Sequence, residues 1–191
     1  MAVKGNSGQI RIISGLYRGR KLPVQDLEGL RPTTDRVKET LFNWLQGQTQ
    51  GAKVLDCFAG AGALGFEALS RHAASLVLVE IDKNAARQLV DNLARLDAKA
   101  GHVVQADVLD WLANTPAEPA DLVFIDPPFG KQLAAPTLSL LESGGWLSDG
   151  AWVYVEVEKG LDFTWPSNWR LHRELNAGQV QAKLFQREVT E

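Results

Sequence analysis

Five apolar runs rich in strand-forming residues, at 53–58, 75–81, 102–106, 121–125 and 151–157, are separated by segments of helical character. The clearest helical segment is 83–96, where Ala86, Leu89, Val90 and Leu93 recur at the spacing of one helix face. Strand, helix and strand in repetition require crossover connections. Such connections set the strands parallel in a sheet with helices on both faces. The 75–81 run is apolar almost throughout, as befits a strand buried on both sides. After Val157 the pattern changes. Residues 170–175 and 179–186 flank Asn176-Ala177-Gly178, which predicts an antiparallel hairpin at the sheet edge. The predicted class is therefore α/β, a mostly parallel, doubly wound sheet with an antiparallel carboxyl-terminal hairpin.

Ahead of this core, residues 9–14 and 20–24 predict an arginine-rich β-hairpin. Arg31-Pro32-Thr33-Thr34-Asp35 then predicts a helix entry, with Thr34 or Asp35 as the cap. Val37, Leu41, Phe42 and Leu45 follow at helical spacing as far as Gly47. The 191 residues are expected to form one domain, with 1–47 as a hairpin-and-helix extension and 48–191 as the core. The net charge is −3, yet residues 1–38 hold eight basic against three acidic side chains. A local excess of that kind attracts phosphates whatever the overall sign. Arg11, Arg18, Arg20 and Lys21 are the candidate phosphate contacts, with Tyr17 as a stacking residue. One cysteine fits a reducing compartment, and neither a signal peptide nor a membrane span is visible. A cytoplasmic protein with no membrane and no metal partner is expected, acting as a monomer.

In an open α/β sheet, ligands bind beyond the carboxyl ends of the strands. The first core run ends in Asp56-Cys57-Phe58-Ala59-Gly60-Ala61-Gly62-Ala63-Leu64-Gly65, a G-x-G-x-x-G turn between strand and helix. Glu80 closes the second run twenty residues beyond Gly60, where a carboxylate accepts from ribose hydroxyls. Asp107 follows the third run, in reach of an adenine edge. These residues indicate an adenosine-containing cofactor and leave its identity open.

The fourth run ends in Asp126-Pro127-Pro128-Phe129. Two prolines at a strand end lack N–H donors and leave their carbonyls free. An acidic acceptor, an exposed carbonyl and an aromatic face are thereby offered together. The exocyclic amine of a nucleic-acid base has two N–H groups needing acceptors and a ring needing a stacking surface. The tetrapeptide supplies both.

The tetrapeptide resembles the (Asn/Asp/Ser)-Pro-Pro-(Tyr/Phe) motif of amino-methyltransferases, and residues 56–62 resemble the cofactor loop of class I, Rossmann-like methyltransferases. Residues 9–22 (QIRIISGLYRGRKL), 30–45 (LRPTTDRVKETLFNWL), 55–69 (LDCFAGAGALGFEAL) and 126–129 follow an order similar to that of the bacterial RsmD family. The resemblance implies S-adenosylmethionine-dependent methylation of a guanine N2 in 16S ribosomal RNA, free or within the small-subunit ribonucleoprotein. It implies that Asp56, Phe58, Gly60 and Gly62 border the methionine and ribose, Glu80 the ribose hydroxyls, and Asp107 with Val108 the adenine. Residues 31–36, Thr34 among them, would close over the site. Asp126, Pro127 and Phe129 would hold the base, with Pro128 beside them on the substrate side.

Rival chemistries lack parts. Cys57 lies inside the first strand–loop motif as a small apolar residue, and His72, His102 and His172 are scattered, so cysteine, metal and serine–histidine mechanisms are not assembled. A nicotinamide-dependent oxidoreductase shares the glycine turn but leaves residues 126–129 unexplained. A DNA or other RNA amino-methyltransferase acting on adenine N6 or cytosine N4 shares the tetrapeptide, without an evident segment here for reading sequence. A non-catalytic RNA-binding module accounts for the arginines and makes the cofactor loop superfluous.

Overall fold

The computed structural model describes residues 8–25 and 33–189. Arg31 and Pro32 of the expected helix entry, and Lys4, Asp26 and Glu28 of the charge pattern, lie outside them. Strands β1 (Gln9–Arg11) and β2 (Lys21–Pro23) form a separate antiparallel hairpin, followed by helix α1 (Asp35–Trp44). The core then alternates β3 (Lys53–Asp56), α2 (Ala63–Ser70), β4 (Ser75–Glu80), α3 (Lys83–Leu96), β5 (Gly101–Gln105), α4 (Val108–Asn114), β6 (Ala120–Ile125) and α5 (Ala134–Ser143). Strands β7 (Leu147–Glu158), β8 (Trp169–Ala177) and β9 (Val180–Arg187) complete it. The seven-stranded sheet runs β5-β4-β3-β6-β7-β9-β8, parallel from β5 to β7 and antiparallel beyond. Strand order reverses between β3 and β6, the crevice where such sheets bind ligands. No helix among the described residues is long and apolar enough to cross a membrane.

Successive residues of a strand face opposite sides, and two apolar layers result. One layer joins Val54, Leu76, Leu78, Leu122, Phe124 and Tyr154 to α1, α2, α3 and the hairpin. The other joins Leu55, Val79, Val123, Ile125, Val153 and Val155 to α4 and α5. This doubly covered, mostly parallel sheet is the architecture expected from the alternation. Helix α3 begins and ends as its periodicity predicts, with the Asp82 carboxylate accepting from the N–H groups of Asn84 and Ala85. Thr34 caps α1, its hydroxyl accepting from the Val37 N–H at 3.3 Å. Val90 departs from the expected buried face and is 52% exposed. The carboxyl-terminal hairpin turns at Gly178-Gln179 instead of at residues 176–178, with Ala177 paired to Val180 and Gly178 at φ +60°.

Both amino-terminal strands are shorter than their apolar patterns predict, and beyond β1 a buried acid takes the backbone hydrogen bonds of residues 13 and 14. Glu67 of α2 is wholly buried and accepts from the N–H groups of Ile13 at 2.9 Å and Ser14 at 3.0 Å. It also pairs with Arg71 at 3.0 Å and with Lys38 of α1 at 3.4 Å. Lys38 donates in addition to the Arg11 carbonyl and is only 2% exposed. It is therefore a structural cation, and the phosphate-attracting charge of the amino-terminal segment is smaller than its composition indicates. Beside this node Ser70 bonds to the backbone of Ser14 and Tyr17. A Cβ at Gly15, whose φ is +83°, would come within 1.9 Å of the Ser70 carbonyl oxygen. The hairpin is thus seated against the end of α2 at a place where a side chain does not fit.

Glu67→Ala leaves the Lys38 ammonium buried without its partner. Removing one member of a buried pair costs about 3–5 kcal/mol, and denaturant unfolding is expected to show a loss of that size.

Candidate active site

At the carboxyl ends of β3, β4, β6 and β7 the elements enclose a cleft of about 1200 Å³. Of the residues singled out in the sequence, Thr34, Asp56, Phe58, Gly60, Glu80, Asp107, Val108, Asp126, Pro127, Pro128 and Phe129 all border it. Gly62 does not. It sits at φ +82° where the turn enters α2, and a Cβ there would meet the Phe66 ring at 2.4 Å. A Cβ at Gly65 would come within 2.6 Å of the Leu78 side chain on β4, so α2 lies this close to the sheet only because Gly65 lacks a side chain, while Gly62 lets the turn pass close to Phe66 and Leu89. Arg11, Tyr17, Arg18, Arg20 and Lys21 are not among the residues bordering the cleft. Arg18 and Lys21 are exposed, Arg11 pairs with Asp35 at 3.1 Å, and Arg20 donates to the Arg95 carbonyl. Tyr17 is partly buried against the core, which occupies part of its ring.

The glycine turn is closed upon itself. Gly60 N–H donates to Glu80 at 2.8 Å and Gly62 N–H donates to the Ala59 carbonyl at 2.7 Å. The other Glu80 oxygen accepts from the Asp82 N–H at 2.9 Å, so this acid braces the turn as well as facing the cleft. Asp107 caps α4 through one oxygen, which accepts from Leu109 and Asp110 N–H groups. Ile81, which the sequence reading passed over, borders the cleft while 66% exposed. An apolar side chain left bare beside a carboxylate gives a flat ring something to lie on. Its signal was present in the sequence, as an apolar residue just beyond a strand-ending acid.

Electrostatics sharpens what this cleft can accept. Asp56, Glu80, Asp107, Asp126 and Glu156 border it, against Lys131 as the one base among the described residues. A dinucleotide pyrophosphate needs free N–H donors or cations, and the glycine N–H groups named above are already engaged. A nucleoside carrying positive charge meets a lining of carboxyl groups instead. The described residues include no cluster of His, Cys, Asp and Glu able to hold a metal ion.

Several of these acids titrate high. Burial pushes the Asp56 carboxyl from 3.8 up to about 7, opposed by the Phe58 and Gly65 N–H groups and assisted by the charge of Glu80. Burial, then the charges of Glu156 and Asp56, raise Asp126 well above the usual carboxylate range. Burial raises Glu156 as well, against the hydrogen bond from the Tyr154 hydroxyl at 3.3 Å. Cys57 is buried and its thiol is also pushed up, which keeps it protonated and disqualifies it as a nucleophile.

A family model described as conserved hypothetical protein 95 matches residues 10–186. The ribosomal RNA small subunit methyltransferase D of Escherichia coli strain K12 is 56% identical over 185 residues, covering 96% of this chain and 92% of that protein. The protein of the same name from Haemophilus influenzae is 48% identical over 182 residues, 94% of each chain. Among solved structures, the Escherichia coli protein yhhF is 54% identical with a TM-score of 0.88, covering 96% of this chain and all of that one.

Because the folded state holds the Asp56 proton up to about pH 7 while the unfolded chain releases it near 3.8, stability falls as pH rises through that window. Asp56→Asn cannot ionise. Its melting temperature should exceed that of the parent protein by roughly 5 °C at pH 8, the difference shrinking towards pH 4; equal slopes would contradict the raised value.

Proposed function

The chain belongs to the RsmD family, the group its family model describes as conserved hypothetical protein 95, and from that premise we propose that it methylates the exocyclic N2 amine of a guanine in small-subunit ribosomal RNA. S-adenosylmethionine is the methyl donor, and bound in the cleft it supplies an electrophilic methyl group on a sulfonium. One observation carries the reading. Asp126 and Phe129, from the tip of β6, share a single cleft with the glycine turn and Glu80.

In this reading Glu80 takes the ribose hydroxyls, Asp107 and Val108 take the adenine edge with Ile81 beneath the ring, and Asp56, Phe58 and Gly60 border the methionine end. Gly62 acts indirectly by setting the turn, and Thr34 closes the cleft from α1. The guanine amine is a weak nucleophile because its lone pair is delocalised into the ring. Hydrogen bonds from its two N–H groups to the Asp126 carboxyl and the Pro127 carbonyl point the nitrogen at the methyl carbon. Alignment of this kind contributes up to roughly 7–11 kcal/mol of barrier reduction. Positive charge developing on nitrogen is stabilised by the Asp126 carboxylate, which also lies in place to receive the departing proton. Phe129, 42% exposed at the rim, stacks on the displaced base, and Pro128 stiffens the strand end between them. Arg11, Arg18, Arg20 and Lys21 on the hairpin contact phosphates, with Tyr17 beside them.

Small-subunit ribosomal RNA from cells with and without the protein, digested to nucleosides, should differ by N2-methylguanosine; identical profiles would overturn the proposal. Asp126→Ala should lower transfer about 10²–10³-fold with cofactor affinity unchanged in calorimetry. Phe129→Ala should cost about tenfold in RNA-dependent turnover alone. Neutralising Arg18 and Lys21 together should reduce the salt dependence of RNA binding by about two in the log–log slope. An unaltered slope would leave the hairpin as scaffold.

A further inference from the structure

Glu156 is unaccounted for by the chemistry above, and its place in the sheet is specific. The last paired positions of β6 and β7 are Ile125 and Val155, both in the layer under α4 and α5. One residue further, Asp126 and Glu156 therefore turn to the opposite face, the one that carries Phe124, Tyr154 and Asp56. Neighbouring strands lie about 4.8 Å apart, so the two carboxyls leave adjacent strand ends side by side, and both border the cleft. The position paired with Glu156 on β9 is Ala182, whose small side chain also borders the cleft and leaves room beside the acid.

Two adjacent acids without a cation are costly. Among the described residues no lysine or arginine forms an ion pair with either. The only hydrogen bond Glu156 receives from a described side chain is the Tyr154 hydroxyl on Oε2, which leaves Oε1 without a described partner. Such a pair is satisfied when a ligand brings adjacent N–H donors. The Watson–Crick edge of guanine does so, with N1–H beside the N2 amine. Adenine and cytosine each present an acceptor nitrogen in the corresponding place.

We propose that Glu156 is a specificity residue that accepts the N1–H of the target guanine while Asp126 holds its N2 amine. The assignment rests on the guanine reading given above and adds the reason a shared amino-methyltransferase motif acts on guanine here. A base whose ring nitrogen is an acceptor places lone pair against carboxylate oxygen, and a buried polar group left unmatched in this way discriminates strongly. Tyr154 is the positioning residue, fixing the Glu156 rotamer through its hydroxyl.

The test uses the full chain and small-subunit ribosomal RNA from cells lacking the activity. The methylated nucleotide is first located with wild-type protein and radiolabelled cofactor. That RNA is then rebuilt by splinted ligation with either guanine or 2,6-diaminopurine at the position; the latter keeps the N2 amine and has no N1–H. Wild-type protein is expected to prefer guanine by about tenfold or more in kcat/KM. Glu156→Gln keeps the shape and the bond to Tyr154, and its amide can donate to the N1 of diaminopurine, so the preference should fall to within about threefold. Guanine methylation with the same preference in both proteins would overturn the Glu156 assignment and leave the function standing. Methylation located on an adenine or cytosine amine would overturn both.

Discussion

The buried carboxylate of Glu67 joins the two parts of this molecule, and that junction adds one wall to the cleft. It receives the backbone of the amino-terminal segment at Ile13 and Ser14 and the ammonium of Lys38 on α1. Helix α1 is thereby held over the carboxyl edge of the sheet, where Thr33, Thr34 and Val37 form one wall of the cleft. A carboxylate without those partners would be intolerable at that depth, and so would the lysine. Each compensates the burial of the other, and together they fix the described amino-terminal segment and α1 against α2.

The charge of the protein is divided between outside and inside. Exposed arginines and lysine lie on the hairpin, while five carboxyls line the cleft. The division suits a reaction between a polyanion and a cation. In the proposed reading, phosphates are drawn to the outer surface and a positively charged nucleoside inward. It also explains why acids crowd together despite mutual repulsion. Burial raises Asp56, Asp126 and Glu156, and neighbouring carboxylates add to the rise of the first two, so a ligand bearing positive charge or N–H donors relieves the crowding.

The fold was largely legible because its determinants are local. A period of two or of 3.6 survives in the chain whatever its surroundings, and so do the caps: Thr34 and Asp82 stand where their helices begin. The boundaries that shifted did so for tertiary reasons. The first amino-terminal strand stops at Arg11, short of Ser14, where Glu67 takes the Ile13 and Ser14 N–H groups, and Val90 is exposed because α3 buries the face of Ala85, Ala86, Leu89, Asn92, Leu93 and Leu96.

What the sequence by itself determined is the set of strand-end residues, since the turn glycines, Glu80, Asp107 and the Asp126–Phe129 tetrapeptide are each read within a few residues of a strand terminus. Only the tertiary structure decided which of them meet, that Gly62 serves packing while Gly60 borders the cleft, and that Lys38 is interior. Glu156 and its meeting with Asp126 belong to the second class. The two acids lie at the ends of different strands, far apart along the chain, and no periodicity records the distance between two strand ends until the sheet has formed.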